Sequence, residues 1–90
     1  MLSHWKLEIG AIMKKYMVIE RFKDGCWNTA YKRFHSQGRL LPDGLNYLNS
    51  WASEELNVCY QLMETKSPEL FELWFSRWQD LVDFELVPID

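Results

Sequence analysis

The hydrophobic period of this chain alternates between two and roughly 3.6, and the order of the changes admits few folds. KYMVIERFK, residues 15–23, is rich in β-branched and aromatic residues and ends at the turn pair Asp24-Gly25, so it reads as a first strand. From Cys26 to Gln37 the spacing of Trp27, Ala30, Tyr31 and Phe34 is helical, with Lys32 and Arg33 on the other side and Gly38 placed to supply a left-handed residue past the end. GRLLPDG, 38–44, is a loop that leads into LNYLNSWA, 45–52. Ser53-Glu54-Glu55 then turns the chain into LNVCYQLMET, 56–65, which makes the second and third strands a hairpin. Ser67-Pro68-Glu69 has the form of a helix start with a hydroxyl at the N-cap, and Leu70, Trp74, Trp78 and Leu81 follow as an apolar stripe beside Phe71 and Phe75. VDFELVPI, 82–89, is the fourth strand.

The resulting order is βαββαβ. Right-handed crossovers then predict a four-stranded antiparallel sheet in the order 4-1-3-2 with both helices on one face, an α+β ferredoxin-like fold. A chain of 90 residues holds one domain, taken as 15–90, behind an N-terminal extension, 1–14. In that extension Leu2, Trp5, Ile9 and Ile12 recur at helical spacing, and Met13 offers a second possible start.

Composition narrows the function classes. The net charge of −3 is spread along the chain without a coherent basic face, which argues against nucleic acid. No apolar run approaches the ~20 residues that span a bilayer, and no secretory signal pattern is present, so no membrane role and a cytoplasmic location are expected. Cys26 and Cys59 lack metal spacing and read as reduced thiols. His35, near the end of the first helix, reads as an exposed cap. No serine sits in a nucleophile elbow and no glycine-rich phosphate loop occurs, so neither metal nor cofactor is expected.

Strand parity marks one feature as unusual. In the first strand Met17 and Ile19 oppose Tyr16, Val18, Glu20 and Phe22; in the third, Val58, Tyr60 and Leu62 oppose Cys59, Gln61 and Met63; in the fourth, Val82, Phe84 and Leu86 oppose Asp83, Glu85 and Val87. The cleanly apolar sets are the natural floor for the helices. The other face would then mix Tyr16, Val18, Phe22, Tyr47, Trp51 and Met63 with Glu20, Asn49, Gln61 and Glu85. Such a face calls for a covering subunit.

Four segments carry a family resemblance: YMVIERFKDG at 16–25, GRLLPDGLNYLNSW at 38–51, CYQLMET at 59–65 and WFSRWQDLVDFELVPI at 74–89. Lys15 to Ile89 resembles the small bacterial proteins grouped as domain of unknown function family 3303, within the dimeric α+β barrel superfamily; Met1 to Ile12 departs from the pattern. The resemblance implies the fold and a homodimer, and it carries no activity to transfer. Superfamily relatives include quinol-type monooxygenases, haem-degrading enzymes and stress-response proteins, an analogy of fold alone.

Two readings of the mixed face stay open. In the first, the protein is a binding or scaffold module whose mixed face is the dimer interface, with Glu20 and Glu85 paired to Arg21, Arg39 or a lysine across it. In the second, it is a cofactor-free enzyme, monooxygenase-like or isomerase-like, acting on a small aromatic or quinone-like ligand. There Glu20 and Glu85 would be neighbouring carboxyls that carry the proton, with Phe22, Tyr47 and Trp51 stacking on the ligand and Asn49 and Gln61 orienting it. Trp74 and Trp78 read as core, Cys59 as an inert thiol, and Arg77 as a side chain lying along the helix surface.

Overall fold

The structure, a computed structural model, describes residues 12–89. The amphipathic arm expected over Leu2, Trp5 and Ile9 lies outside the described residues. Six elements follow in the expected order: β1 (Lys14–Phe22), α1 (Trp27–Gln37), β2 (Leu45–Ser53), β3 (Val58–Thr65), α2 (Leu70–Ser76) and β4 (Val82–Ile89). The strands form one antiparallel sheet in the order β2-β3-β1-β4, the expected order read from its other edge. Tyr16 packs edge-on against Phe71 of α2 at 5.1 Å and Phe22 against Trp27 of α1 at 4.8 Å, so both helices cover the same face. The fold is α+β and ferredoxin-like.

The turns obey backbone sterics. Gly25, Gly38 and Gly44 all adopt positive φ, where a side chain is disfavoured, and Gly38 closes α1 by donating its N–H to the Phe34 carbonyl. The start of α2 differs from the sequence expectation. The Ser67 hydroxyl does not cap it; Glu69 is the N-cap residue, without a side-chain bond, and the Ser67 N–H instead donates to Thr65 Oγ1. Thr65 is buried and uses the same hydroxyl to bond the Gly44 carbonyl, joining both loops to the end of β3. A second difference is length, since α2 stops at Ser76. Successive tight turns carry Trp78 and Leu81 onward, both still buried in the core.

The main correction concerns which face the helices cover. Tyr16, Val18 and Glu20 are buried beneath them with Gln61, Met63 and Thr65, whereas Met17, Ile19, Val58, Tyr60 and Leu62 lie on the uncovered side. β4 follows expectation, with Val82, Phe84 and Leu86 packed under the helices. The registers explain the difference: Glu20 pairs with Cys59 and Phe84, and Val18 with Gln61 and Leu86, so the apolar set of β4 aligns with the mixed sets of β1 and β3. A one-residue change of register exchanges the two faces of a strand, and both faces of β1 are apolar enough for either choice. In β2 the register shifts between Tyr47 and Asn49. Leu45 and Tyr47 therefore share the covered face with Ser50 and Ala52, while Asn49 and Trp51 join the open one and Leu48 is exposed in the irregularity.

Candidate functional site

Covering a mixed face with aromatic helices leaves a gap. A cavity of about 180 Å³ lies between the sheet and α1, partly open to solvent. Trp27, Ala30, Tyr31 and Phe34 of α1 form one wall, Trp74 and Trp78 close an end, and Phe22 and Val82 add apolar floor. The polar groups are Glu20 of β1, Cys59 and Gln61 of β3, Ser50 of β2 and Arg39 from the loop after α1. A helix-covered sheet normally excludes such groups, which are buried only where they are hydrogen-bonded.

Here they form a directed chain. Arg39 Nε donates to Gln61 Oε1 at 3.0 Å, and Gln61 Nε2 donates to Glu20 Oε1 at 2.8 Å. Glu20 is only 6 % exposed. Burial pushes its carboxyl above the usual carboxylate range, against the smaller opposing pull of Gln61, Cys59 and the Arg39 charge. Burial and the neighbouring Glu20 together push the Cys59 thiol up to about 12, so it stays protonated and is no nucleophile at neutral pH.

Arg39 reaches this position because its backbone is held. Its carbonyl accepts both the Trp74 and the Trp78 indole N–H, at 2.8 and 2.9 Å, and Arg77 Nη1 donates to the Leu40 carbonyl at 2.7 Å. Arg77 thus anchors a loop and does not simply lie along the helix. Leu40 adopts φ of 60°, a left-handed conformation that costs a β-carbon residue about 1–3 kcal/mol and persists only where its surroundings enforce it. The Arg39 guanidinium lies 3.5 Å from the Tyr47 ring centroid and 5.0 Å from that of Phe34. Flat stacking of this kind suits arginine and not lysine. On the opposite side, Arg33 makes two bonds to Asp80 and one to the Arg77 carbonyl while lying over Trp78, which ties α1 to the turn that carries that indole.

The expected site residues divide between two faces. Glu20, Phe22 and Gln61 line the cavity, and Tyr47 supports it through Arg39. Glu85, Asn49 and Trp51 lie on the uncovered face, so the neighbouring pair of carboxyls does not form. Glu85 is opposite Ile19 in register and accepts from Arg21 Nη1 at 2.9 Å within the same chain. Arg39 and the two indoles that hold it were not recognised as site residues. The available signal was the pair Trp74 and Trp78 at spacing four, whose N–H groups need acceptors wherever the rings are buried. Among the described residues no cluster of His, Cys, Asp and Glu could hold a metal ion, and no helix is long and apolar enough to cross a membrane.

The arrangement predicts a measurable pH dependence. A carboxyl raised by burial contributes most to folding below its ordinary value of 4.5, and that contribution is lost as pH rises through its folded-state pKa. Glu20→Gln keeps the oxygen that accepts from Gln61 and removes the titration. The melting temperature of the variant should therefore gain on that of the wild type as pH is raised from 4.5 to 9 in paired thermal scans; a constant difference would show that Glu20 does not titrate in a buried site.

The family model described as Domain of unknown function (DUF3303) matches residues 14–89. No curated protein matches the chain, and neither does any solved structure.

Proposed function

We propose that this chain, which belongs to the DUF3303 family, is a homodimeric small-molecule-binding protein that takes one compact aromatic ligand in the cavity of each subunit. One observation supports the ligand reading above the rest: a buried hydrogen-bonded chain from Arg39 through Gln61 to Glu20 ends at an aromatic-walled cavity. Polar groups are costly under a helix layer, and a scaffold would be more stable with apolar residues there. The volume suits one ring, since an apolar cavity of about 150 Å³ accepts benzene. It is smaller than the ~300 Å³ typical of sites for drug-sized ligands.

The dimer reading moves to the uncovered face. Met17, Ile19, Tyr60 and Leu62 form its centre, Trp51 at 51 % exposure and Val87 flank them, and charges lie at both ends, Arg21, Asp83 and Glu85 toward one and Lys15 and Glu64 at the other. An apolar sheet face of this kind is characteristic of an interface, and a second copy laid face to face would cover it. The mixed face, covered by the helices of its own chain, has no part in that contact.

A catalytic reading has one specific support. Glu20 is a buried carboxyl with a raised pKa facing a ligand-sized space, which suits a group that accepts or returns a proton. In this reading a proton on a bound ring substituent passes to Glu20, with Arg39 and Gln61 steadying the charge left behind.

Native mass spectrometry of gently purified full-length protein tests the dimer and the ligand together. The expected species is a dimer of the 10.9 kDa chain carrying added mass that is lost on unfolding. A monomer would contradict the interface. A bare dimer that takes up no small aromatic compound would contradict the binding role.

A further inference from the structure

We infer that the ligand is an aromatic acid of a single ring whose carboxylate is held by Arg39. This rests on the binding role proposed above and specifies its chemistry. Among the described residues Arg39 is the only cationic one lining the cavity, and its Nε is committed to Gln61. Among the described residues its two terminal nitrogens make no hydrogen bond, and no acidic side chain forms an ion pair with it. No buried side-chain nitrogen or oxygen among the described residues lacks a partner, so these two nitrogens are open to solvent and to a ligand entering from it. Its planar fork matches the two oxygens of a carboxylate, and its rotation is restricted by Tyr47, Phe34 and the bond to Gln61.

The rest of the cavity fits the body of such a molecule. Trp27 and Phe34 offer apolar ring surface, and the volume of about 180 Å³ leaves room for one ring and a small substituent. The carboxyl of Glu20 is the one group that argues for an opposite ligand, an amine. It is already bonded by Gln61 and sits at the deeper end of the chain, whereas the terminal nitrogens of Arg39 have no partner among the described residues.

Isothermal titration with benzoate, benzamide, benzylamine and benzene separates these cases. Benzoate should bind at least about tenfold more tightly than benzamide, the value of one charge-assisted hydrogen bond, and benzylamine should bind most weakly. Arg39→Met removes the charge and leaves the backbone carbonyl on its two indoles, so it should reduce the preference for benzoate to within about twofold while benzamide still binds. Arg39→Lys should retain part of the preference; if Arg39→Met binds none of the probes, the ratio in Arg39→Lys and the wild type decides. Equal affinity for benzoate and benzamide, or tighter binding of benzylamine, would overturn the carboxylate assignment and leave the binding role standing. Failure of all four probes would overturn both.

Discussion

Replacing Trp74 by alanine is expected to abolish cooperative unfolding. The ring is 1 % exposed and touches Phe71, Phe75 and Phe84, with centroid separations of 6.5, 5.8 and 6.1 Å. Truncating a buried tryptophan costs about 3–5 kcal/mol, and a chain this short lies near the lower end of the ~5–15 kcal/mol that holds a domain together, so the loss takes most of its stability. The substitution also removes one of two indole donors on the Arg39 carbonyl, so the loop that delivers Arg39 loosens. Trp74→Phe isolates that second effect. It should cost about 0.5–1.5 kcal/mol for the bond plus a little packing, and keep a sharp transition. Urea titration followed by circular dichroism measures both. A Trp74→Ala midpoint close to that of the wild type would mean that the core does not depend on this residue.

Leu62→Glu has its expected effect on association and little on folding. Leu62 lies at the centre of the uncovered face, opposite Met17 in β1 and Asn49 in β2. In a free subunit the new carboxylate faces water. In a face-to-face dimer it is an unpaired charge in an apolar contact, a penalty of about 3–5 kcal/mol and more than a hundredfold in dissociation constant. Light scattering after size exclusion should report a folded 10.9 kDa monomer for the variant and twice that mass for the wild type. A variant that remains dimeric would place the interface elsewhere.

These two expectations rest on features that were unequally legible. Strand and helix order could be read from period and punctuation, because Asp24-Gly25, Gly38 and Pro42-Asp43-Gly44 fall at element boundaries. The faces could not be read as well. Val82, Phe84 and Leu86 have acidic neighbours and reveal their inner side, but Tyr16, Val18 and Phe22 are as apolar as Met17 and Ile19. When both sides of a strand are apolar, alternation gives the period and not the direction; only the register against β4 chooses. The expectation that Glu20 and Gln61 share one face holds because the β1–β3 register sets Val18 opposite Gln61 and Glu20 opposite Cys59. The pairing with Glu85 does not form because the β1–β4 register sets Phe84 opposite Glu20 and Glu85 opposite Ile19.

Arg39 was harder to find for another reason. It sits in a loop, where no period places a side chain, and its position depends on a left-handed Leu40 and on donors from α2 and the turn after it, more than thirty residues away. Glu20 itself was conspicuous from the start as an acid within an apolar strand. Its explanation is a polar chain at the edge of a cavity, formed by the helices of its own chain.

Indole N–H resonances offer the most direct test of the claim that this cavity binds a ligand. Trp27, Trp74 and Trp78 line it, whereas Trp51 lies on the uncovered face. Titration of 15N-labelled protein with benzoate should shift the resonances of Trp27, Trp74 and Trp78 together and leave Trp51 in place. Shifts confined to Trp51, or none, would contradict the account.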